Sequence, residues 1–313
     1  MTDRRAFLKQ ALLPAGALCL PSMITVQAPQ AITPRTAESP LSHRLKSFSR
    51  DTMWNLVTEI KVRFKTFHCQ GMVKIGDEFW VSSVEVGVSE DGLQDRSKGK
   101  GHLFRIDSAG NLLADVAIGE GSIFHPSGID FDGSHIWIAA AEYRPDSRSI
   151  IYKFDPRQKT LQEVFRWEDH IGGIARDKET NTLHGISWGS RRFYTWPLDE
   201  QGNVRMPAGS AILNPSFYID YQDLKCLGGH EMLYTGLSVY KRPGGQSLPL
   251  GGLEIVDLEK ACAVHQVPVQ LWSPVTGAVM TQNPSFFELM PDERVRAYFI
   301  PDDNVSTIFV YEA

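Results

Sequence analysis

Short apolar segments alternate with polar turns along almost the whole chain from residue 54 onward. Spacing typical of helices is almost absent, and the segments are separated by turns rich in Gly, Asp, Asn and Pro. Strands of this length at regular spacing are typical of all-β proteins. The pattern therefore predicts a single all-β domain over residues 54–313.

One pattern recurs five times along this domain: a polar residue opens an apolar strand, and a turn leads into a second strand. The clearest copies are residues 66–86, TFHCQGMVKIGDEFWVSSVEV, and residues 123–143, IFHPSGIDFDGSHIWIAAAEY. The opening positions, separated by 57, 45, 50 and 63 residues, are His68, His125, His170, Asp220 and Asn283. Repeats of this length, with about four strands each, predict a β-propeller.

The repeat count predicts five blades, or six if two blades have been merged. The last repeat supplies only three strands before the C-terminus, whereas an unassigned strand, residues 55–64, precedes the first repeat. Pairing this N-terminal strand with the last blade would close the ring and remove its exposed edges.

The first 28 residues are similar to a twin-arginine export signal. The similarity rests on the paired arginines and the residues after them, namely Arg4, Arg5, Phe7, Leu8 and Lys9. It implies a periplasmic or secreted protein, and the apolar stretch is too short and broken for a membrane span. Residues 29–53, rich in Pro, Ser and Thr up to residue 50, are predicted to form a flexible lead-in.

The charge balance narrows the class of partner. The chain has a formal net charge of −5, and removal of the basic signal would make the remainder more acidic. This argues against nucleic acid and anionic membranes as partners, and leaves a small-molecule substrate or ligand.

The propeller geometry predicts that the five opening residues converge. The first strand of each blade lines the channel, so His68, His125 and His170 should meet at one mouth, with Asp220 and Asn283 as further oxygen ligands. Such a set suits a divalent metal ion, whether zinc, manganese or calcium. Because the second strand returns to the same mouth, Glu85 and Glu142 are predicted to lie beside the histidines as candidate general bases.

Loops on the predicted mouth face are long, namely residues 86–100, 206–217 and 239–251. Arginines that begin loops on this face could hold an anionic group, and aromatic residues could form the walls of a substrate site. The candidates are Arg144, Arg191, Arg192, Tyr143, Trp188 and Tyr221. The alternatives are that the polar ring only binds water, that the glutamates pair with the arginines, and that the aromatic residues only pack. Trp80 and Trp137 are predicted to pack between blades.

The segments FHCQG, FHPSG and HIGG, with the strands WVSSVE and WIAAAE, resemble an uncharacterised group of exported bacterial propeller proteins. More distantly, the chain is similar to the gluconolactonase and regucalcin propellers. That resemblance implies one divalent ion at the channel mouth and hydrolysis of lactones, although those families use carboxylate and asparagine ligands on six blades. The histidine-rich channel also resembles that of oligogalacturonate lyases, which implies metal-assisted proton abstraction.

Three functional hypotheses follow. The first is a metal-dependent hydrolase of a small lactone, ester or sugar derivative, with the three histidines as ligands and Glu85 or Glu142 as the base. The second is a metal-assisted lyase that acts on an acidic sugar held by the arginines. The third is a propeller that binds a small molecule or a protein without catalysis.

Overall fold

The computed structural model describes residues 37–205 and 209–313, which contain five antiparallel sheets arranged as the blades of a β-propeller. The predicted export signal lies outside the described residues. Within the described ranges, no helix is long and apolar enough to cross a membrane. The predicted all-β fold with five blades is confirmed.

The first described elements are a short helix and an outer strand, followed by two complete blades. In chain order these elements are α1 (Pro40–Lys46), β1 (Asn55–Lys61), the first blade β2 (His68–Ile75), β3 (Glu78–Val88), β4 (Gln94–Ile106) and β5 (Leu112–Ile118), and the second blade β6 (Ile123–Pro126), β7 (Asp130–Phe131), β8 (Ile136–Glu142), β9 (Ser149–Asp155) and β10 (Thr160–Trp167). The two short strands β6 and β7 together form the innermost strand of the second blade, because both pair with β8.

Three further blades complete the ring. They are the third blade β11 (Ile171–Asp177), β12 (Thr182–Ser187), β13 (Arg192–Pro197) and β14 (Ser210–Leu213), the fourth blade β15 (Asp220–Gly228), β16 (Glu231–Lys241), β17 (Ser247–Asp257) and β18 (Cys262–Val269), and the fifth blade β19 (Ser285–Leu289), β20 (Val295–Phe299) and β21 (Thr307–Glu312). Short 3-10 turns occupy Trp188–Ser190 and Met280–Gln282.

The N-terminal strand closes the ring, as the sequence predicts. β1 pairs antiparallel with β21, from Asn55 opposite Glu312 to Lys61 opposite Thr307. The fifth blade therefore takes its outermost strand from the start of the domain and its other three strands from the end. This arrangement joins the two ends of the domain by backbone hydrogen bonds.

The hydrophobic core is divided into five clusters, one at each interface between neighbouring blades. Trp80 packs between the first and second blades, and Trp137 between the second and third. Both side chains are almost fully buried, which confirms that they pack between blades. The core therefore holds the blades in a ring around one axis.

The lead-in predicted for residues 29–53 is not flexible throughout, because it contains α1. Pro40 begins the helix, and the Ser39 hydroxyl caps it by accepting a hydrogen bond from the Ser42 amide at 3.2 Å. Leu45 and Phe48 are buried in the cluster between the fourth and fifth blades. Burial of these two apolar side chains orders a segment that composition alone marks as a linker.

Two of the three predicted long loops are extensions of β-hairpins. In the first blade, the β3–β4 ladder continues past Glu85 opposite Lys100 to Val88 opposite Gln94. In the fourth blade, the β16–β17 ladder continues to Lys241 opposite Ser247. The third loop includes residues 206–208, which lie outside the described residues. The mouth face thus carries two projecting hairpins.

One buried carboxylate ties the blades together at the axis. The side chain of Asp223, in the fourth blade, accepts hydrogen bonds from the backbone amides of Met72 at 2.9 Å, Ile129 at 3.3 Å and Ser285 at 3.2 Å. These amides belong to the first, second and fifth blades, and the Leu224 amide adds a local bond at 2.9 Å. Asp223 therefore closes the channel by satisfying backbone donors from three other blades.

Glycines allow this close approach of the innermost strands. A Cβ atom on Gly71 would lie 2.5 Å from the Ile129 nitrogen and 2.8 Å from the Gly128 Cα. Gly128 and Gly173 form a parallel bridge between the second and third blades. Larger residues here would push the blades apart, so these glycines are required for the innermost strands to meet at the axis.

Candidate functional site

A pocket of about 220 Å³ opens at the mouth of the channel. Four of the five repeat-opening residues line it, namely His68, His125, His170 and Asp220. The structure thus brings together side chains that are far apart in sequence. Asn283 is not among the lining residues.

His170 is held by the backbone of the second blade. Its Nδ1 atom lies 2.8 Å from the carbonyl oxygen of Glu142 and 3.1 Å from that of Arg144. Because a carbonyl oxygen can only accept, Nδ1 carries the proton and Nε2 keeps its lone pair. Burial lowers the pKa of His170 to about 4, so the ring is neutral at pH 7.

His125 is buried beside His170 and has an unpaired nitrogen. The two ring centres are 5.3 Å apart, and the His125 Nδ1 atom is buried without a hydrogen-bond partner among the described residues. Burial lowers the pKa of His125 well below its usual range, and the neighbouring His170 and His68 lower it further. Such an unsatisfied buried polar atom is uncommon and is expected where a ligand binds.

His68 is more exposed and is oriented by a carboxylate. Its Nδ1 atom lies 2.9 Å from Asp303 Oδ1, which also accepts a hydrogen bond from Asn283 Nδ2 at 2.9 Å. Asn283 is buried and also donates to the carbonyl oxygen of Pro301. Asn283 is therefore placed to position Asp303, and through it His68. A carboxylate behind a histidine is a frequent arrangement behind metal ligands.

Asp220 supplies a carboxylate to the pocket. Arg191 Nη2 lies 3.2 Å from Asp220 Oδ1, and the Arg191 guanidinium also donates to the carbonyl oxygen of Ser216 at 3.0 Å. Burial raises the pKa of the Asp220 carboxyl, and Arg191 opposes the rise. Arg191 thus holds the carboxylate in place at the rim of the pocket, where the Asp220 side chain is 60% exposed.

Aromatic side chains form one wall of the pocket. Tyr143 lies against His125 with ring centres 4.2 Å apart, and Trp188 packs edge-on against His170 at 4.6 Å. The guanidinium of Arg96, from the β3–β4 hairpin, lies 4.7 Å from the Tyr143 ring centre. Tyr221 also lines the pocket, but its hydroxyl donates to Glu254 and its ring is buried.

Two glutamines in the pocket were missed as functional residues. Gln70 and Gln222 line it, two positions after His68 and Asp220 along the innermost strands. Both glutamines sit at register shifts, between Cys69 and Gly71 and between Tyr221 and Asp223, and the signal for them is that they occupy the same position in two copies of the repeat. Their amides add uncharged donors and acceptors to the site.

The structure does not bring the two glutamates to the pocket. Val84, not Glu85, is opposite His68, and Ala141, not Glu142, is opposite His125. Because side chains alternate between faces, both carboxylates point away from the histidines. Glu85 lies 3.8 Å from His102, and Glu142 pairs with Arg144 at 2.5 Å and Arg148 at 2.7 Å.

The predicted arginines all pair with carboxylates of the chain. Arg144 pairs with Glu142, Arg191 with Asp220, and Arg192 with Asp146 and Asp169. Arg191 and Arg192 line a groove of about 470 Å³ that shares Trp188 and Asp220 with the pocket. The pocket therefore continues sideways into a wider cleft.

The side chains of the pocket supply two of the ligands that a divalent metal ion needs. Two imidazoles bound tetrahedrally to one zinc ion, with Zn–N of about 2.0–2.1 Å, place their ring centres about 5 Å apart. His125 and His170 meet this spacing, and both are neutral. Over residues 37–205 and 209–313, however, no three His, Cys, Asp or Glu side chains are already grouped closely enough to hold an ion. A third ligand requires a side-chain rotation.

Solved structures similar to this chain have very different sequences. A glutaminyl cyclase from Myxococcus xanthus is 12% identical, with 83% of this chain and 96% of that chain covered and a TM-score of 0.49. A luciferin-regenerating enzyme is 9% identical, with 82% and 94% covered and a TM-score of 0.45. Likenesses at this level carry no conclusion about activity.

No curated protein sequence matches the chain. One protein family does match, and its match covers residues 34–313, which include α1 and all five blades. The sequence prediction of an uncharacterised propeller family agrees with this assignment, whereas no link to the gluconolactonases is found. The chain therefore belongs to DUF6454, a family of unknown function.

Proposed function

We propose that the pocket at the channel mouth is the active site of a metal-assisted hydrolase that cleaves a small, uncharged ester or lactone. The observation that carries this proposal is the pair of buried, neutral imidazoles of His125 and His170, 5.3 Å apart, with one nitrogen left unpaired. His68, which lines the same pocket, would complete the ligand set by side-chain rotation. The chemistry that a bound divalent ion supplies is polarisation of the scissile carbonyl group.

Asp220 is the general base in this proposal, the role that the sequence analysis predicts for Glu85 or Glu142. It is the carboxylate in the pocket. Arg191 holds the carboxylate in place from the groove side. In this role Asp220 accepts the proton of the attacking water, while the Gln70 and Gln222 amides orient the substrate oxygens.

The charge pattern favours an uncharged substrate over an acidic sugar. A lyase acting on a uronate would need an arginine for the substrate carboxylate. The three predicted arginines are each paired with a carboxylate of the chain, so Arg96, which stacks on the Tyr143 ring, is the arginine that would have to serve. Tyr143 and Trp188 instead present ring faces and edges to the pocket. These surfaces suit the apolar face of a lactone or sugar ring.

Elemental analysis combined with an activity panel tests the proposal. Protein purified from its native export route should contain about one divalent ion per chain, and His125→Ala with His170→Ala should lose it together with at least about 100-fold of the hydrolytic rate. His135→Ala is the matched control, because His135 lies in a turn at the opposite end of the second blade. Metal-free protein that binds lactones without turning them over would instead support a binding propeller, and turnover of uronates would support the lyase.

A further inference from the structure

A second cavity, of about 240 Å³, lies on the fourth blade beside the channel mouth. It is bounded by the ends of the β16–β17 hairpin and by the segment that follows β18. Side chains that matter for its chemistry are Tyr218, Tyr240, Leu250, Gln270 and Trp272. It shares no lining residue with the histidine pocket, so it is a separate site.

Large hydrophobic side chains remain exposed at the rim of this cavity. Tyr240 is 51% exposed, Trp272 is 46% exposed and Leu250 is 39% exposed. Together with Tyr218, these residues provide three aromatic rings around one concave surface. Aromatic rings gathered around a concave surface are expected where a ring-shaped ligand stacks.

The Tyr218 ring lines the cavity, and its hydroxyl is buried beside Gly252 without a hydrogen-bond partner among the described residues. The fourth blade makes room for it with Gly252, since a Cβ atom there would lie 2.8 Å from the hydroxyl oxygen. Gln270 donates its amide to the carbonyl oxygen of Arg50 at 2.7 Å and keeps its own carbonyl oxygen as an acceptor. A buried hydroxyl without a partner needs an acceptor to offset its desolvation.

Charge restricts the ligand further. Among the described residues that line the cavity, none carries a charged side chain. A charged ligand would therefore lose its hydration without gaining an ion pair. The volume suits a single six-membered ring with small substituents.

We propose that this cavity binds an uncharged, ring-shaped ligand, with Tyr240 and Trp272 against the ring and the Tyr218 hydroxyl donating to an oxygen of the ligand. A pyranose sugar and a small aromatic alcohol share this chemistry. Two probes distinguish them: methyl β-glucopyranoside represents the sugar, and benzyl alcohol represents the aromatic ring. This site does not depend on the proposed hydrolase activity.

Saturation-transfer NMR on the full chain tests the proposal. At least one probe should bind saturably, and Trp272→Ala should weaken its binding about tenfold. Val275→Ala is the control, because Val275 is 70% exposed nearby but does not line the cavity. Tyr218→Phe keeps the ring and removes the donor, and it should weaken binding about fivefold, as expected for one lost hydrogen bond.

Binding must also be independent of the channel pocket, so His170→Ala should leave the affinity of the probe unchanged. Failure of both probes to bind would overturn the proposal. An unchanged affinity of the probe in Trp272→Ala would also overturn it. Binding that is lost in His170→Ala but kept in Trp272→Ala would place the probe in the histidine pocket and also overturn it. Unchanged affinity in Tyr218→Phe would overturn the role of the hydroxyl.

Discussion

Two groups of buried polar side chains lie near the propeller axis, and they differ in whether their hydrogen bonds are satisfied. Asp223 accepts four backbone amide hydrogen bonds. His125, at the channel mouth, has a buried nitrogen without a partner in the described part of the chain. Asp223, which links the blades, is saturated, whereas His125 at the pocket keeps unused bonding capacity.

Removal of the saturated Asp223 carboxylate should cost the most stability. Asp223→Ala leaves buried amides from four blades without an acceptor, at about 1–3 kcal/mol each, so we expect the free energy of unfolding to fall by more than about 4 kcal/mol. Chemical denaturation measures this loss. Asp77→Asn, in the exposed turn between β2 and β3, is the control and should change stability by less than about 0.5 kcal/mol. A loss below about 1 kcal/mol for Asp223→Ala would show that water replaces the carboxylate.

Acidification should next affect His170, the neighbour of His125 at the channel mouth. The folded pKa of His170, about 4, lies below the value of 6.5 for a free histidine, so the unfolded chain binds the proton first as pH falls. The stability that neutral His170 contributes is fully present above pH 6.5 and is lost as pH falls toward 4, by up to about 3 kcal/mol.

Denaturation of wild type and His170→Gln between pH 4 and pH 7 measures this dependence. The unfolding free energy of the variant should fall less with acidification than that of wild type. It should still fall, because burial also lowers the pKa values of His125 and His184. Identical pH profiles for the two proteins would mean that His170 titrates normally in the fold.

The smallest effect is expected from the arginine that the sequence placed in the substrate site. Arg144 is 60% exposed on its side chain and pairs with Glu142, which points away from the pocket. We expect Arg144→Ala to change the unfolding free energy by less than about 1 kcal/mol and to leave KM within about twofold. Steady-state kinetics on the hydrolysed substrate checks this. A large rise in KM would instead show that Arg144 contacts the substrate.

The blades and the repeat-opening residues could be predicted because period-two alternation and turn chemistry are local properties of the sequence. The directions of Glu85 and Glu142 could not, because they depend on pairing register. Register shifts fall between Cys69 and Gly71 in the first blade and between the β6 and β7 pairings in the second, where Pro126 is opposite Ala140 but Asp130 is opposite Trp137. A shift of one residue moves a side chain to the opposite face, and nothing in the spacing of glutamate and histidine reveals it.

The role of Asp223 was equally hidden in the sequence. Its four amide donors come from residues 72, 129, 224 and 285, and three of these lie in other blades. Such contacts appear only when the ring is assembled. That α1 is ordered could not be predicted for the same reason. Leu45 and Phe48 become buried only against the assembled fourth and fifth blades.

Anomalous diffraction from crystals grown with zinc locates an ion bound at the channel mouth. We expect one anomalous peak in the channel-mouth pocket, about 2.0–2.1 Å from a ring nitrogen of both His125 and His170, with His68 rotated to complete the coordination. A pocket that shows only water between those two rings at saturating zinc would contradict this expectation.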